Sequence, residues 1–264
     1  MKMEEKGCCK DVSRRSVIIG GGALAATAAL AHLGGALDPA QAKSGKTEKW
    51  PWPYVKLDPA KTAEICYNEW YRVFCGGAVI NSVFSQLREK VGEPYTSFPS
   101  DSFTFLEGGQ VGWGTVCGSP AGANIVANVI IGPRIAGSPD AHHISADIMQ
   151  WYSEAEMPVF TPKKARVKPS KIAKTTSQSP LCHISVGKWM KKAGLPLKSA
   201  ERKDRCARVA ASTAYRLVEL LNDWHDGKYE PTNDFSAASE HGITGQFNCM
   251  ECHGDDVPEA PQAS

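Results

Sequence analysis

The sequence predicts a mainly α protein, a single helical domain with long glycine- and aromatic-rich loops and an irregular C-terminal segment. Three observations carry that expectation. Apolar residues recur at three- and four-residue spacing in several stretches, the period of a helix face turned to a core. Glycine and proline, 24 and 17 of the 264 residues, fall mainly between those stretches, where they stop helices and bend connections. Residues 228–264 are polar and show no sustained period.

The first 42 residues read as an export leader. Ser13-Arg14-Arg15-Ser16-Val17-Ile18 is a twin-arginine element; a mildly apolar run from Val17 to Leu30 follows, then Ala40-Gln41-Ala42, an A-x-A cleavage pattern. The run is too short and too glycine-rich for a membrane span. The expectation is a periplasmic chain, exported by the twin-arginine route, starting near Lys43 and without stable membrane insertion. About 220 residues then remain, enough for one domain with a real core. Losing five basic and four acidic residues with the leader takes the formal charge from +2 to about +1. That balance gives no reason to expect a nucleic-acid partner.

Residues 43–59 form an extended arm, with Trp50-Pro51-Trp52-Pro53-Tyr54 expected to lie across the surface. The helical domain is placed over 60–227. In its first helix, Lys61 to Val91, Cys75, Val79, Val83 and Leu87 recur every four residues, and Gly92 and Pro94 end it. Gly76-Gly77 either bends this helix or admits another segment close to its backbone. On a continuous helix Cys66 and Cys75 point to opposite sides and do not share a site. A loop over 95–116, with Gly108-Gly109 and Gly112-Trp113-Gly114, has backbone suited to wrapping a cofactor. Ser119 as N-cap and Pro120 at N1 start a helix through Ile131. Cys117 then stands just ahead of a helix N-terminus, where free amides and the positive dipole end stabilise a thiolate. Asp140 to Met157 reads as a helix opened by His142 and His143 and stopped by Pro158. The basic connection from Pro162 to Pro180 is either a solvated loop or a dock for an acidic redox partner. Cys182-His183 precedes a short helix through Lys192. Ser199 caps the best-defined helix, with Cys206, Val209, Leu217 and Leu221 on one stripe and Gly227 closing it.

The C-terminal segment carries Cys249-Met250-Glu251-Cys252-His253. Two thiols spaced by two residues and followed by histidine form the attachment pattern for haem c: the thiols add to the porphyrin vinyl groups and His253 reaches the iron. Half of a zinc site and an exposed disulfide are the competing readings, but no second Cys-x-x-Cys exists. Of nine cysteines, Cys8 and Cys9 leave with the leader and Cys249 and Cys252 go to haem, so five remain. An odd count cannot pair completely. Cys75, Cys117, Cys182 and Cys206 each lie in a core-facing helix or at a helix start. They converge on an iron–sulfur or other metal site, pair as disulfides, or stay as structural thiols, and the residues alone leave all three open. Cys66 has no assigned role. His142 or His143 is the first choice for the distal haem ligand, with His183, His225 and His241 chemically eligible. Ser179-Pro180-Leu181-Cys182-His183 repeats the haem frame with Ser in place of the first Cys.

The order Cys75-Gly-Gly-Ala-Val, Cys117-Gly-Ser-Pro-Ala-Gly-Ala, Pro180-Leu-Cys182-His-Ile-Ser-Val and Arg205-Cys206-Ala-Arg-Val resembles the redox-associated family named for its C-GCAxxG-C-C cysteine pattern. With Cys249-Met-Glu-Cys252-His253 added, it resembles the split-Soret cytochrome branch of that family, over roughly Ala63 to His253. The resemblance implies a periplasmic homodimer with stacked haems near the interface. It also implies a non-haem iron–sulfur centre, [2Fe-2S] by preference, for which Cys75, Cys117, Cys182 and Cys206 are the ligand candidates. Such a protein carries electrons to a redox partner protein, as a non-enzymatic carrier in preference to an oxidoreductase. The branch is associated with two haems per chain, whereas one complete haem motif is present here. Two other readings stand beside it: a reductase binding its own substrate at an open iron position, and a disulfide-stabilised secreted binding protein. No Ser/His/Asp set, nucleotide fingerprint or P-loop is visible.

Overall fold

The structure is a computed structural model and describes residues 49–233. The leader over 1–42, His241 and the haem motif at Cys249, Cys252 and His253 lie outside the described residues.

Helix α1 (Pro59–Lys90) begins where the Asp58 carboxylate accepts from the amides of Ala60 (2.8 Å) and Lys61 (3.1 Å), satisfying two donors that a helix start leaves unpaired. It is not continuous. Phe74, at φ 58° and ψ −161°, breaks it into two runs, two residues before the Gly76-Gly77 pair. Across that break the angular arithmetic separating Cys66 from Cys75 no longer applies.

Helix α2 (Gly118–Ile131) crosses α1 backbone against backbone. A Cβ on Gly76 would stand 2.5 Å from Leu106 Cβ, and one on Gly122 would stand 2.7 Å from Gly76 O, so only glycine permits this approach. The expected cap is corrected here. Cys117 occupies the N-cap position without a side-chain cap bond, and Ser119 is buried inside the first turn, because packing of Gly118 against Leu106 draws that residue into the helix.

Helix α3 (Asp140–Glu154) ends three residues before Met157. Ala155 turns extended, and β1 (Glu156–Met157) pairs antiparallel with β2 (Thr175–Thr176), Glu156 opposite Thr176 and Met157 opposite Thr175. Strand pairing and the burial of Met157 outweigh one more helical turn. The basic connection is thereby stitched at one end, while its lysines stay exposed. Helix α4 (Cys182–Ala193) ends at Gly194 in the left-handed region, and α5 (Ala200–His225) starts where Ser199 Oγ accepts from Arg202 N at 3.2 Å.

The core lies between α1, α2 and α5. Val83 and Leu87, Val126 and Ile130, Leu217 and Leu221 are all fully buried there, each side chain worth about 1.5–3 kcal/mol of removed apolar surface. The aromatic arm is part of this core rather than a strap across it. Trp52 and Tyr54 are buried; Trp52 N donates to Ile130 O (2.7 Å), Trp50 Nε1 to Val129 O (3.1 Å) and Tyr54 OH to Asn222 Oδ1 (3.0 Å). Large rings whose polar tips find partners gain more inside than out. At the other end, buried Asp147 on α3 accepts from Tyr229 OH (2.7 Å), Thr232 Oγ1 (2.8 Å) and Asn233 N (2.8 Å). Among the described residues no helix is long and apolar enough to cross a membrane.

Candidate metal centre

Cys75, Cys117, Cys182 and Cys206 come from four helices and line one cavity of about 720 Å³. Local structure explains each placement. Cys75 follows the break at Phe74, Cys117 caps α2, Cys182 is the first residue of α4, and Cys206 lies in the second turn of α5. The loops before α2 and α4 are sewn together by Cys117 N to Pro180 O (2.8 Å), Cys182 N to Thr115 O (2.8 Å) and a bridge between Val116 and Leu181. In that antiparallel pairing Cys117 and Cys182 are diagonal neighbours on one face. Gly114, at φ 76°, lets the loop turn tightly over His183, whose N–H donates to Gly114 O at 3.0 Å.

All five cysteines of the described residues are free thiols, so the disulfide reading finds no pair among them. Their environments differ. The Cys117 thiol is pulled down to about 6, first by a hydrogen bond from Cys182 and then by the Tyr152 hydroxyl and the Ser119 amide, against the opposing effect of burial. The helix-start amides therefore contribute, but the neighbouring thiol contributes more. Cys182 moves the opposite way, upward, because its proton is held in that shared bond and because it is buried. Burial pushes Cys75 up, with the charges of Cys117 and Cys206 adding to it. Trp70 Nε1 donates to Cys75 Sγ at 3.3 Å. Cys66 does not line the cavity; it is fully buried, and burial raises its thiol.

Three residues that the sequence reading passed over complete the site. Trp70 gives the sulfur bond just described. Tyr152, fully buried, lies 3.0 Å from Ser185 Oγ and reaches Cys117. Arg205, 1% exposed, donates from Nη2 to Ser185 Oγ at 2.9 Å and from Nη1 toward Cys206 Sγ at 3.9 Å, while its Nε has no partner. A signal existed for Arg205, since it adjoins Cys206 on a helix whose face is buried.

The histidines divide. His183 lines the cavity; His142, His143 and His225 do not. His143 Nδ1 lies 3.4 Å from Asn233 O, and His225 packs edge-on against Tyr54 with centroids 5.5 Å apart. The haem-like frame is not assembled as one: Ser179 is buried away from the cavity and its Oγ accepts from Leu181 N at 3.1 Å, whereas Cys182 joins the other cysteines. Phe74, Val111 and Leu197 form an exposed apolar rim at the cavity, beside Arg202 and Lys203.

In kind and number the donors suit sulfur-ligated iron: four thiols around one space, one of them ionised near neutral pH, with a buried cation beside them. They surround the space without closing on it, since among the described residues no three His, Cys, Asp or Glu side chains stand close enough together to hold a metal ion.

Comparison with known proteins covers most of the described chain. The family described as a putative redox-active protein (C_GCAxxG_C_C) matches residues 80–220. The chain is 31% identical over 255 residues to the split-Soret cytochrome c of Desulfovibrio desulfuricans, covering 92% of this chain and 88% of that one. A solved structure, described as a novel iron centre in the split-Soret cytochrome c from that organism, superposes with a TM-score of 0.65 at 30% identity, over 80% of this chain and 86% of that one.

Proposed function

Because the chain belongs to the split-Soret cytochrome c family, within the C_GCAxxG_C_C redox-active proteins, we propose that it is an exported electron-transfer protein with haem c and a sulfur-bound iron centre. Haem would be tethered through Cys249 and Cys252, with His253 as axial ligand and His142 or His143 as distal candidate. The iron centre, [2Fe-2S] by resemblance, would be held by Cys75, Cys117, Cys182 and Cys206. The observation that carries the proposal is that these thiols, widely spaced in sequence, line one cavity. Bound there, such a group supplies reversible one-electron storage. The twin-arginine leader supports a periplasmic location, and the exposed lysines between Pro162 and Pro180 offer a charged face to a redox partner. Assembly as a homodimer rests on the family alone.

The residues of the chain have definable parts in this. Cys117, whose thiolate is favoured by the hydrogen bond from Cys182, would be one of the sulfurs holding the iron. Trp70 donates to the Cys75 sulfur and fixes its direction. Tyr152 and Ser185 carry hydrogen bonding away from Cys117.

The test is a single preparation from a host competent in cytochrome c maturation, assayed for haem, non-haem iron and acid-labile sulfide. Cys206→Ser is expected to lower non-haem iron and sulfide while leaving haem; His253→Ala is expected to do the reverse. Full iron loading in Cys206→Ser would remove that residue from the ligand set. The size of the cavity favours one further reading, an open iron position that binds a substrate. Binding of cyanide or carbon monoxide to the native protein would support it, and spectra unchanged by either ligand would dismiss it.

A further inference from the structure

Arg205 is a cation in the wrong place for an ordinary surface charge. It sits on the buried face of α5, is 1% exposed, and no Asp or Glu among the described residues pairs with it. Asp204, its neighbour in sequence, is committed to Arg208 at 2.7 Å and to the Tyr67 and Tyr71 hydroxyls. A guanidinium keeps its charge in proteins, and burying it without an anion costs several kcal/mol. Its hydrogen bonds to Ser185 reach only neutral oxygen, and its Nε faces no acceptor. Among the described residues what its Nη1 faces is the Cys206 sulfur, 3.9 Å away on the wall of the cavity that both line.

We propose that Arg205 is the built-in counter-ion of a net-anionic, thiolate-ligated iron centre in this cavity, and that its charge raises the reduction potential of that centre. This rests on the iron-binding reading given above. An iron–sulfur group held by four thiolates is already negative, and each electron taken up makes it more so. A fixed positive charge beside it therefore stabilises the reduced form more than the oxidised form. The chain places that charge twice over, directly against Cys206 and, through the Ser185 and Tyr152 hydroxyls 3.0 Å apart, toward Cys117. Arg205 is thus a positioning residue. It need not ligate iron, and it exchanges neither proton nor electron.

The experiment uses full-length, haem-loaded, iron-containing protein. The non-haem centre is titrated with dithionite as the one-electron donor and followed by low-temperature electron paramagnetic resonance. Arg205→Met is expected to lower the equilibrium constant for reduction about tenfold, a shift of 59 mV for a one-electron couple. Arg205→Lys, which keeps the charge, is expected to stay within about threefold of the parent, a contrast that loss of packing alone would not produce. Arg205→Gln retains a hydrogen bond to Ser185 and drops only the charge, so it reads the same effect should Arg205→Met fail to fold. Either neutral variant holding its iron at an unshifted potential overturns the proposal. Absence of non-haem iron and sulfide from the parent protein is a different failure: it removes the iron centre itself, and the counter-ion with it.

Discussion

Gly122→Ala should be destabilising although alanine is the better helix former. In an unencumbered helix interior the exchange is worth about 0.8–1 kcal/mol in favour of alanine. Gly122 is encumbered by backbone: its Cβ would stand 2.7 Å from Gly76 O, 2.9 Å from Gly76 Cα and 3.1 Å from Gly76 C. Ordinary contact begins near 3.4 Å, so α1 and α2 must part by roughly half an ångström, and main-chain atoms cannot swing aside as a side chain would. Overpacking of this kind costs about 1–3 kcal/mol. With rigid main chain as the obstacle the cost lies in the upper part of that range, about 2–3 kcal/mol, so the net loss is about 1–2 kcal/mol, or roughly 2–8 °C in Tm for a domain of this size. Gly187 in α4 supplies the control, since nothing lies within 4 Å of its Cβ position. Gly187→Ala should gain the propensity difference alone, about 0.8–1 kcal/mol. Urea unfolding followed at 222 nm on both variants decides it. A Gly122→Ala protein as stable as the parent would falsify the backbone-contact argument, and equal gains in both variants would leave helix propensity as the whole account. The same separation moves Cys75 away from Cys117, so non-haem iron should fall in Gly122→Ala.

Stability of the metal-free protein should depend on pH in two opposed ways. The folded Cys117 thiol, at about 6 against an ordinary value of 9.0, binds fewer protons than the unfolded chain between those values, so stability rises with pH across that window. Above about 9 the order reverses, because folded Cys66, Cys75 and Cys182 keep protons that the unfolded chain releases. Cys117→Ser should abolish the rise and spare the fall; a rise that survives in this variant refers the effect to another group. Trp70→Phe removes the donor to Cys75 Sγ and should cost about 1 kcal/mol in urea unfolding; no change would mean that the bond adds nothing beyond ring packing. Asp147→Ala frees the segment between Tyr229 and Asn233, and tryptic cleavage at Lys228 should accelerate about tenfold, equivalent to ~1.4 kcal/mol of lost local order. Unchanged cleavage would show that other contacts hold this segment. Asp204→Ala strands the buried Arg208 guanidinium and should cost about 3–5 kcal/mol, a loss that thermal unfolding would miss only if Arg208 found another anion.

Helix periodicity made α5 legible almost to the residue, because Ser199 caps it and one apolar stripe runs its length. The break in α1 was signalled by Gly76-Gly77, yet it falls on Phe74, a residue whose type gives no hint of a positive φ. The arm was misjudged because Trp-Pro-Trp-Pro reads as extended chain, and extension says nothing of which partner covers it. Met157 looked helical since a single apolar residue fits either period; only its pairing with Thr175 decides. For the site, the order of the cysteines pointed to one centre, whereas their collection around one cavity depends on loop pairing between residues 115–117 and 180–182, a contact no local pattern encodes. Arg205 escaped notice for a related reason: a charged residue is assigned to solvent until the buried anion beside it is seen.

The arm has one more implication, for biogenesis. Tyr54 and Leu57 meet Asn222, and Leu57 and Asn222 are separated by 165 positions in the chain, so this end of the arm has no seat until α5 has been synthesised. A ribosome that stalls before Asn222 leaves the Tyr54 ring and the Leu57 side chain without the partner that covers them. Completion of α5 is then what conceals them, so the two ends of the described fold close in a single late step.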